Sequence, residues 1–544
     1  VTASAGRTPL DGRAESRPRV PGQFTLVLHS HLPWLLNHGR WPVGEEWLYQ
    51  SWAHCYQPVF GVLRRLAADG FTDQLSLGIT PVLAAQLDDP AATSAMYEWL
   101  ADWQLRAMEA ATHDDADRRA SGHREFRAAA HALADFETHW RHGGSPQIRS
   151  LLSTGVIELL GGPLAHPFQP LLDDRLRRFS LDEGLADAQL RWGSRPSGIW
   201  APECAYTPGM EREYAAAGIG HFMVDGPTLH GDTALGRPVA GSDVVAFGRD
   251  LSVSYRVWSP KSGYPGHAAY RDFHTYDHQT GFKPYRVTGK NVPGEQKKPY
   301  DPALTDAVID RHVDEFVDCV RDRLIAESER IGRPALVVAA FDTELYGHWW
   351  HEGPIWLERL LRRLPEAGVD VGTLATARRD GYVGEPVDLG DSSWGSGKDW
   401  RVWEGPQVQH LVQLNREVTE TALGALDKRL PPHPPRADEP VTRWLSAGGT
   451  TESKPRDLTA DQILRETLMT VQSDWPFMVS KDTAAGYAQD RAYKHAHATR
   501  EICAASDAGH DDEAAQLARG WRQADNVFGA LDARRLPPRD GSTR

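Results

Sequence analysis

Cysteine is scarce in this sequence: Cys55, Cys204, Cys319 and Cys503 are the only four in 544 residues, and no two form a CxxC pair. That excludes a thiolate zinc site of the usual spacing and argues against a disulfide-built scaffold. Long apolar runs are missing as well. No stretch approaches the roughly 20 residues needed to span a bilayer, so no membrane partner is expected. Residues 1–21 are polar, rich in Arg and Pro, and lack the apolar centre of a signal peptide. A reducing cytoplasm is the expected location. Positive charge is in deficit too: 60 Lys and Arg stand against 74 Asp and Glu, a net charge of −14. Nucleic-acid binding depends on neutralising phosphates with basic groups, so no nucleic-acid partner is expected. Neither a GxGxxG after a first strand nor a GxxxxGK phosphate loop occurs, which leaves a nucleotide enzyme unsupported.

Tryptophan, in contrast, is abundant, with 19 residues. Most indoles fill core space. A carbohydrate enzyme has a second use for them, because the apolar face of a pyranose stacks on a flat ring while its hydroxyls bond at the edges.

Short apolar runs alternate with helical stretches over the first two thirds of the chain. Strand candidates are 24–28, 74–79, 156–160, 198–200, 221–224, 253–258 and 335–341. Several are continuously apolar, as strands covered on both faces should be. The helices between them, near 52–69, within 91–142 and over 303–331, argue for parallel βα units. Seven such units fit a closed barrel better than two Rossmann halves. Residues 259–302 read as a long functional loop. Beyond about residue 408 the pattern is helical. Pro431 to Pro435 forms a stiff connector, Thr459 to Gln462 a capping box, and 483–507 and 511–534 two helices. The expected class is therefore α/β: a (β/α)7 barrel with helical insertions over 23–385, then an α-helical domain over 386–535. A disordered arm (1–22) and a flexible tail (536–544) flank them.

Reactive residue types follow the strand candidates directly. The first run ends in His29-Ser-His31-Leu-Pro-Trp34, and the third leads into Gly161 to His166. The fourth leads into Trp200-Ala-Pro-Glu203-Cys-Ala-Tyr206, the sixth into Trp258-Ser-Pro, and the seventh into Asp342-Thr-Glu344-Leu-Tyr-Gly-His348-Trp349-Trp350. In parallel barrels the active site forms at the C-terminal strand ends. Glu203 and Asp342 are therefore the candidate catalytic pair. Glycosidic cleavage needs one carboxyl to protonate the leaving oxygen and another to attack carbon or activate water. The acid needs a raised pKa, which partial burial among Trp200, Trp349 and Trp350 would supply. The plainer reading is that both carboxylates cap helices. A rival reading takes His29, His31 and Asp342 as ligands of a divalent metal in a hydrolase or deacetylase. Farther on, Ser392 to Trp403 is too Gly-rich for a helix and too aromatic for a solvated linker. Trp394 and Trp403 in it suit either a sugar groove or a domain contact. Asp474 and Trp475, in Ser473-Asp-Trp-Pro-Phe477, read first as a cap and a packing group.

Taken together these motifs resemble glycoside hydrolase family 57 and, within it, the 1,4-α-glucan branching enzymes, from about Phe24 to Ser480. The resemblance implies a retaining mechanism, with Glu203 as nucleophile and Asp342 as general acid/base, on an α-glucan substrate, with no metal and no cofactor. It implies sugar contacts for His29, His31, His166, Trp200, Asp474 and Trp475, and extends the substrate-binding set to Trp34 and Trp349 of the same motifs. Trp258 resembles a tryptophan of the acceptor groove, and Trp394 and Trp403 match the two tryptophans of the branching-enzyme SSWG segment. One departure stands out. Related enzymes carry a tyrosine on a loop that shields the intermediate from water, whereas residues 228–250 here contain none. An α-glucan hydrolase or 4-α-glucanotransferase of the same family is therefore the alternative expectation.

Overall fold

The computed structural model describes residues 18–259, 262–289, 292–430 and 456–539. Seven parallel strands form its centre: β1 (Gly22–Ser30), β2 (Leu75–Ile79), β3 (Ile157–Gly161), β4 (Gly198–Ile199), β5 (His221–Asp225), β6 (Val245–Arg249) and β7 (Ala335–Asp342). They pair in the order β6-β5-β4-β3-β2-β1-β7. Every residue of β1 is buried, because neighbours lie on both edges and helices on the outer face. Its register sets Val27 beside Ser76 of β2 and, on the other edge, beside Ala340 of β7; two residues on, His29 stands opposite Asp342. The ring closes through the Asp250 amide, which donates to the Val338 carbonyl at 2.8 Å. This is a (β/α)7 barrel.

The sixth strand is not the one expected. Residues 253–258 alternate apolar and polar, which suggests a strand, yet Leu251–Val257 is a helix. The Asp250 side chain accepts the Val253 amide and starts it. Val253 and Val257, four residues apart, are then buried on one face. The true β6 lies just before, at Val245–Arg249.

Two long antiparallel helices, Pro90–Ala110 and Ala116–Asp135, make the expected insertion, and Asp306–Ile331 is the long helix before β7. Residues 259–302 contain only short turns and bridges among the described residues. The chain after the barrel is helical: Gln409–Arg429, Leu458–Thr470, Asp474–Ser480, Ala485–Asp507 and Asp511–Ala524. The second of these is buried on every side from Thr459 to Thr470. Its charged groups survive there because they are paired: Arg465 donates to the Val527 carbonyl at 2.5 Å, and Glu466 meets His495 at 2.8 Å.

Several boundaries differ from expectation. The helix cap is Asp457, which accepts the Thr459 and Ala460 amides, so Thr459 lies inside the helix. The last helix stops at Ala524 rather than 534. Residues 18–21 of the arm are built in: Val20 is buried, its amide donating to Gly368. Leu536 of the tail packs on the core, and the Pro537 carbonyl accepts Arg175 at 2.8 Å. Residues 1–17, the Pro431–Pro435 connector and residues 540–544 lie outside the described residues.

Candidate active site

The C-terminal strand ends open into a cleft of about 1500 Å³. His29, His31, His166, Glu203, Asp342, Trp258, Trp349, Trp394, Trp403 and Asp474 all face it. Segments from residue 29 to residue 474 are thereby brought to one place.

Glu203 follows β4 in an unusual backbone. It has φ 61°, and Cys204 after it has φ 49°. A second such pair, Ala165 (φ 60°) and His166 (φ 52°), follows β3. Left-handed non-glycine residues cost about 1–3 kcal/mol each and persist only where surroundings hold them. Here the holding groups are visible. Glu203 Oε2 accepts the Trp394 indole N–H at 3.0 Å, and Oε1 accepts the Ser473 hydroxyl at 2.7 Å. The Glu203 carbonyl accepts the Trp394 amide at 2.9 Å.

The contacts continue inward as a chain with one consistent set of protons. Burial pushes the pKa of both His29 and His166 well down, so each ring is neutral with a single N–H. An ionised Glu203 only accepts. Ser473 therefore gives it its hydroxyl proton and must accept from His166 Nδ1, 2.9 Å away. His166 Nε2 then accepts from His29 Nε2 at 3.0 Å. His29 Nδ1, the last atom, is buried with no partner. Leaving it so costs about 1–3 kcal/mol, and the chain fixes both rings around the carboxylate.

His31 behaves differently. Burial opposes its charge, but Asp474 at 3.0 Å, with Glu203 and Glu344 near, raises its pKa. Its Nδ1 meets Thr80 Oγ1 at 3.0 Å.

Asp342 ends β7. Burial raises its carboxyl to about 6, against the lowering pull of Arg249 and His31. Among the described residues no protein group donates to its side chain. Glu203 is raised to about 7, by burial first, with Ser473 and Trp394 opposing. Cleavage would need Glu203 ionised and Asp342 protonated, so the order in the free cleft is the reverse. A bound sugar changes this. Asp342 is only partly covered and still has water to lose, whereas Glu203 is already buried. Desolvation by substrate therefore raises Asp342 more. Behind them, Glu344 is raised to about 8 by burial and the Asp342 charge, and Tyr56 donates to it.

Three expected sugar contacts lie elsewhere. Trp34, Trp200 and Trp475 are fully buried and do not line the cleft. Trp200 stacks on His29 at 4.5 Å, Trp475 donates to the Met469 carbonyl, and Trp34 approaches the Ala524 carbonyl at 3.4 Å. Trp34 and Trp475 spend their indole N–H groups on protein carbonyls, whereas Trp200 meets the site through its ring face on His29. Trp403 faces the cleft but is almost fully covered, stacked on Phe168 at 4.7 Å. Trp258 is 48% exposed and stacks on Trp349 at 5.7 Å. It follows the helix 251–257 and not a strand.

Sequence reasoning missed Ser473, whose role exists only through a contact 270 residues away. It missed Arg249, which pairs with Asp225 at 2.9 Å and lies over Trp394. The apolar run Val244 to Phe247 ahead of Gly248-Arg249-Asp250 was the available signal. Residues 228–248 line no part of the cleft; Tyr255 and Tyr276, outside that stretch, do.

For a metal, His31, His166 and Asp474 bring ligand atoms within 4.8 Å of one another, as do His38, His495 and Asp525. Asp342 belongs to neither group, so the trio His29, His31 and Asp342 is not assembled among the described residues. In the first group both nitrogens of His166 already serve the chain to Glu203, so an ion there would break it.

The arrangement finds its counterparts in known proteins. The family profile described as glycosyl hydrolase family 57 matches residues 25–380, and one described as the C-terminal part of 1,4-alpha-glucan branching enzyme matches 437–535. A probable 1,4-alpha-glucan branching enzyme of Mycobacterium tuberculosis is 65% identical over 532 residues, 95% of this chain and 98% of that protein. A 1,4-alpha-glucan branching enzyme of Thermococcus kodakarensis is 31% identical, covering 88% of this chain and 72% of that one. The crystal structure of a family 57-type branching enzyme from Pyrococcus horikoshii superposes with a TM-score of 0.84 at 25% identity, over 95% and 98% of the two chains.

Proposed function

The chain belongs to glycosyl hydrolase family 57, and from that premise we propose that it is a retaining 1,4-α-glucan branching enzyme with Glu203 as nucleophile and Asp342 as acid/base. The observation that carries the reading is the pairing of a doubly hydrogen-bonded Glu203 with a donor-free Asp342 in one aromatic cleft. A carboxylate held by Ser473 and Trp394 is fixed for attack, and a carboxyl without protein donors is free to hand its proton over.

In the first step Glu203 Oε attacks the anomeric carbon of an α-1,4-linked glucose. The bond to the leaving oxygen breaks, and Asp342 supplies that oxygen's proton. The donor chain is now a glycosyl ester on Glu203, and Asp342 is ionised. In the second step a glucan 6-hydroxyl gives its proton to Asp342 and attacks the same carbon, releasing Glu203. Two inversions return the α configuration, now as an α-1,6 bond. Trp258 and Trp349 offer stacking faces for the acceptor, whose orientation lets it compete with water.

The substrate is an α-glucan polysaccharide. No described helix is long and apolar enough to cross a membrane, and the four cysteines are unpaired; both support a cytoplasmic location. One observation favours hydrolysis as a second activity: residues 228–248 place no shield over the cleft. The test is incubation with amylose, with proton NMR of the product and Glu203→Gln as control. New α-1,6 signals absent from the control support branching. Reducing ends without branches would make the protein a hydrolase instead.

A further inference from the structure

Asp225 is the last residue of β5 and is fully buried. It does not line the cleft, yet its two ion-pair partners, Arg249 and Lys398, both do. The sheet register sets Asp225 directly beside Arg249, the last residue of β6, and strand partners project to the same face. Asp225 Oδ1 accepts the Arg249 Nε–H at 2.9 Å. Its Oδ2 lies 2.6 Å from Lys398 Nζ. One buried carboxylate thus serves two cations, one on the barrel and one on the 392–403 segment.

Both cations act on Trp394. The Arg249 guanidinium lies 5.2 Å from the centre of the Trp394 ring. Lys398 Nζ donates to the Trp394 carbonyl at 3.1 Å. Lys398 is itself left-handed, with φ 62°, a backbone that persists only where its surroundings hold it. Its ion pair with Asp225 is one such hold, and its carbonyl accepts the Ser393 amide at 3.3 Å as another. Trp394 in turn gives its indole N–H to Glu203 at 3.0 Å. A path of direct contacts therefore runs from Asp225 to Glu203.

Asp225 also decides where Arg249 is spent. Arg249 is near enough to Asp342 to pull its pKa down, but its ion pair is with Asp225. An acid closed onto a guanidinium holds its proton poorly and serves a leaving oxygen badly. The other charged or titratable groups around Asp342 are His31 and Glu344, and Cys204 lies near Asp225.

We propose that Asp225 is a positioning residue for both carboxyls of the cleft: by holding Arg249 and Lys398 it keeps the Trp394 indole on Glu203 and keeps Arg249 from closing onto Asp342. The inference rests on the roles given to Glu203 and Asp342 above.

The experiment compares the wild type with Asp225→Asn, which loses the charge at constant shape, and with Lys398→Met, which cuts the hold on the Trp394 carbonyl and leaves the Arg249 pair standing. Two quantities are read: the pH profile of kcat and kcat/KM on amylose, and the ¹⁵N–¹H resonance of the Trp394 indole without substrate, assigned by its loss in Trp394→Phe. Asp225→Asn leaves two cations without their counter-charge, so Asp342 keeps its proton less well. The acid limb should move to lower pH and kcat should fall about 10- to 100-fold. The indole proton should move upfield as its bond to Glu203 loosens. Lys398→Met should move the indole proton the same way and lower kcat by a smaller factor, with the acid limb in place. The proposal is overturned if both variants keep the wild-type resonance and acid limb. It is equally overturned if Asp225→Asn lowers kcat and the melting temperature with both readouts unmoved, since burial alone would then account for the residue. Should Asp225→Asn fail to fold, an unmoved resonance in Lys398→Met overturns it. A wild type without activity on amylose would count against the α-glucan reading alone, because the indole resonance is read without substrate.

Discussion

The ends of β4 and β7 each present one carboxyl to the same cleft, yet they are built in different ways. Glu203 stands on a left-handed backbone, is buried, and accepts hydrogen bonds from residues 191 and 270 positions later in the chain. Asp342 simply continues its strand, with extended backbone, partial exposure and, among the described residues, no protein donor. Its surroundings are open, with the exposed Trp258 stacked on Trp349 nearby. The contrast suits the two tasks proposed for them. A nucleophile must hold one position through two displacements, whereas an acid/base must exchange its proton and respond to what covers it. The first needs many fixed partners and the second few.

The largest effect tests whether the roles are truly distinct. Glu203→Gln and Asp342→Asn should each lower branching of amylose by about 10⁴-fold or more. With an α-maltooligosyl fluoride, whose leaving group needs no proton, Asp342→Asn should still release fluoride while Glu203→Gln should not. Equal fluoride release by both would erase the distinction.

Ser473→Ala comes next. It removes a donor from Glu203 and leaves His166 Nδ1–H without its acceptor, so kcat should fall about 10- to 100-fold. The wild-type kcat/KM should be bell-shaped with its maximum between about 6 and 7, both limbs belonging to the coupled pair. Losing a group that favours the ionised form raises Glu203, the higher-titrating member of the free pair, further, so the alkaline limb should move to higher pH in Ser473→Ala while the maximum falls. An unmoved alkaline limb would mean that the hydroxyl does not act on Glu203.

Trp258→Ala gives the smallest effect. Its indole is half exposed, so KM for amylose should rise about 2- to 10-fold with the melting temperature nearly unchanged. A large loss of stability with unchanged KM would show that the open side is packing rather than a sugar platform.

The same contrast explains what could be read in advance. Asp342 was legible because its position follows from an apolar strand alone, and Glu203 because Trp200-Ala-Pro-Glu203 follows another. The partners of Glu203 were harder. Ser473 looks like any helix-start serine until the chain is folded, and Trp394 looked equally suited to a domain contact. Strand β6, with Arg249 at its end, was lost because the alternation at 253–257 resembles a strand until Asp250 caps it. Trp34, Trp200 and Trp475 belong to motifs that meet the cleft, but residue type does not say which side of a loop an indole takes.

Two consecutive pairs of left-handed residues, Ala165-His166 and Glu203-Cys204, flank the cleft, and they set a limit on how heat-resistant this protein can be while it works. Glycine at Ala165, where only a methyl group is lost, would accept the same angles without steric strain and should raise the melting temperature; at Cys204 it would also empty a buried side-chain site. It would also loosen the backbone next to His166 and Glu203. Selection for endurance alone would remove these residues, whereas selection for turnover retains them.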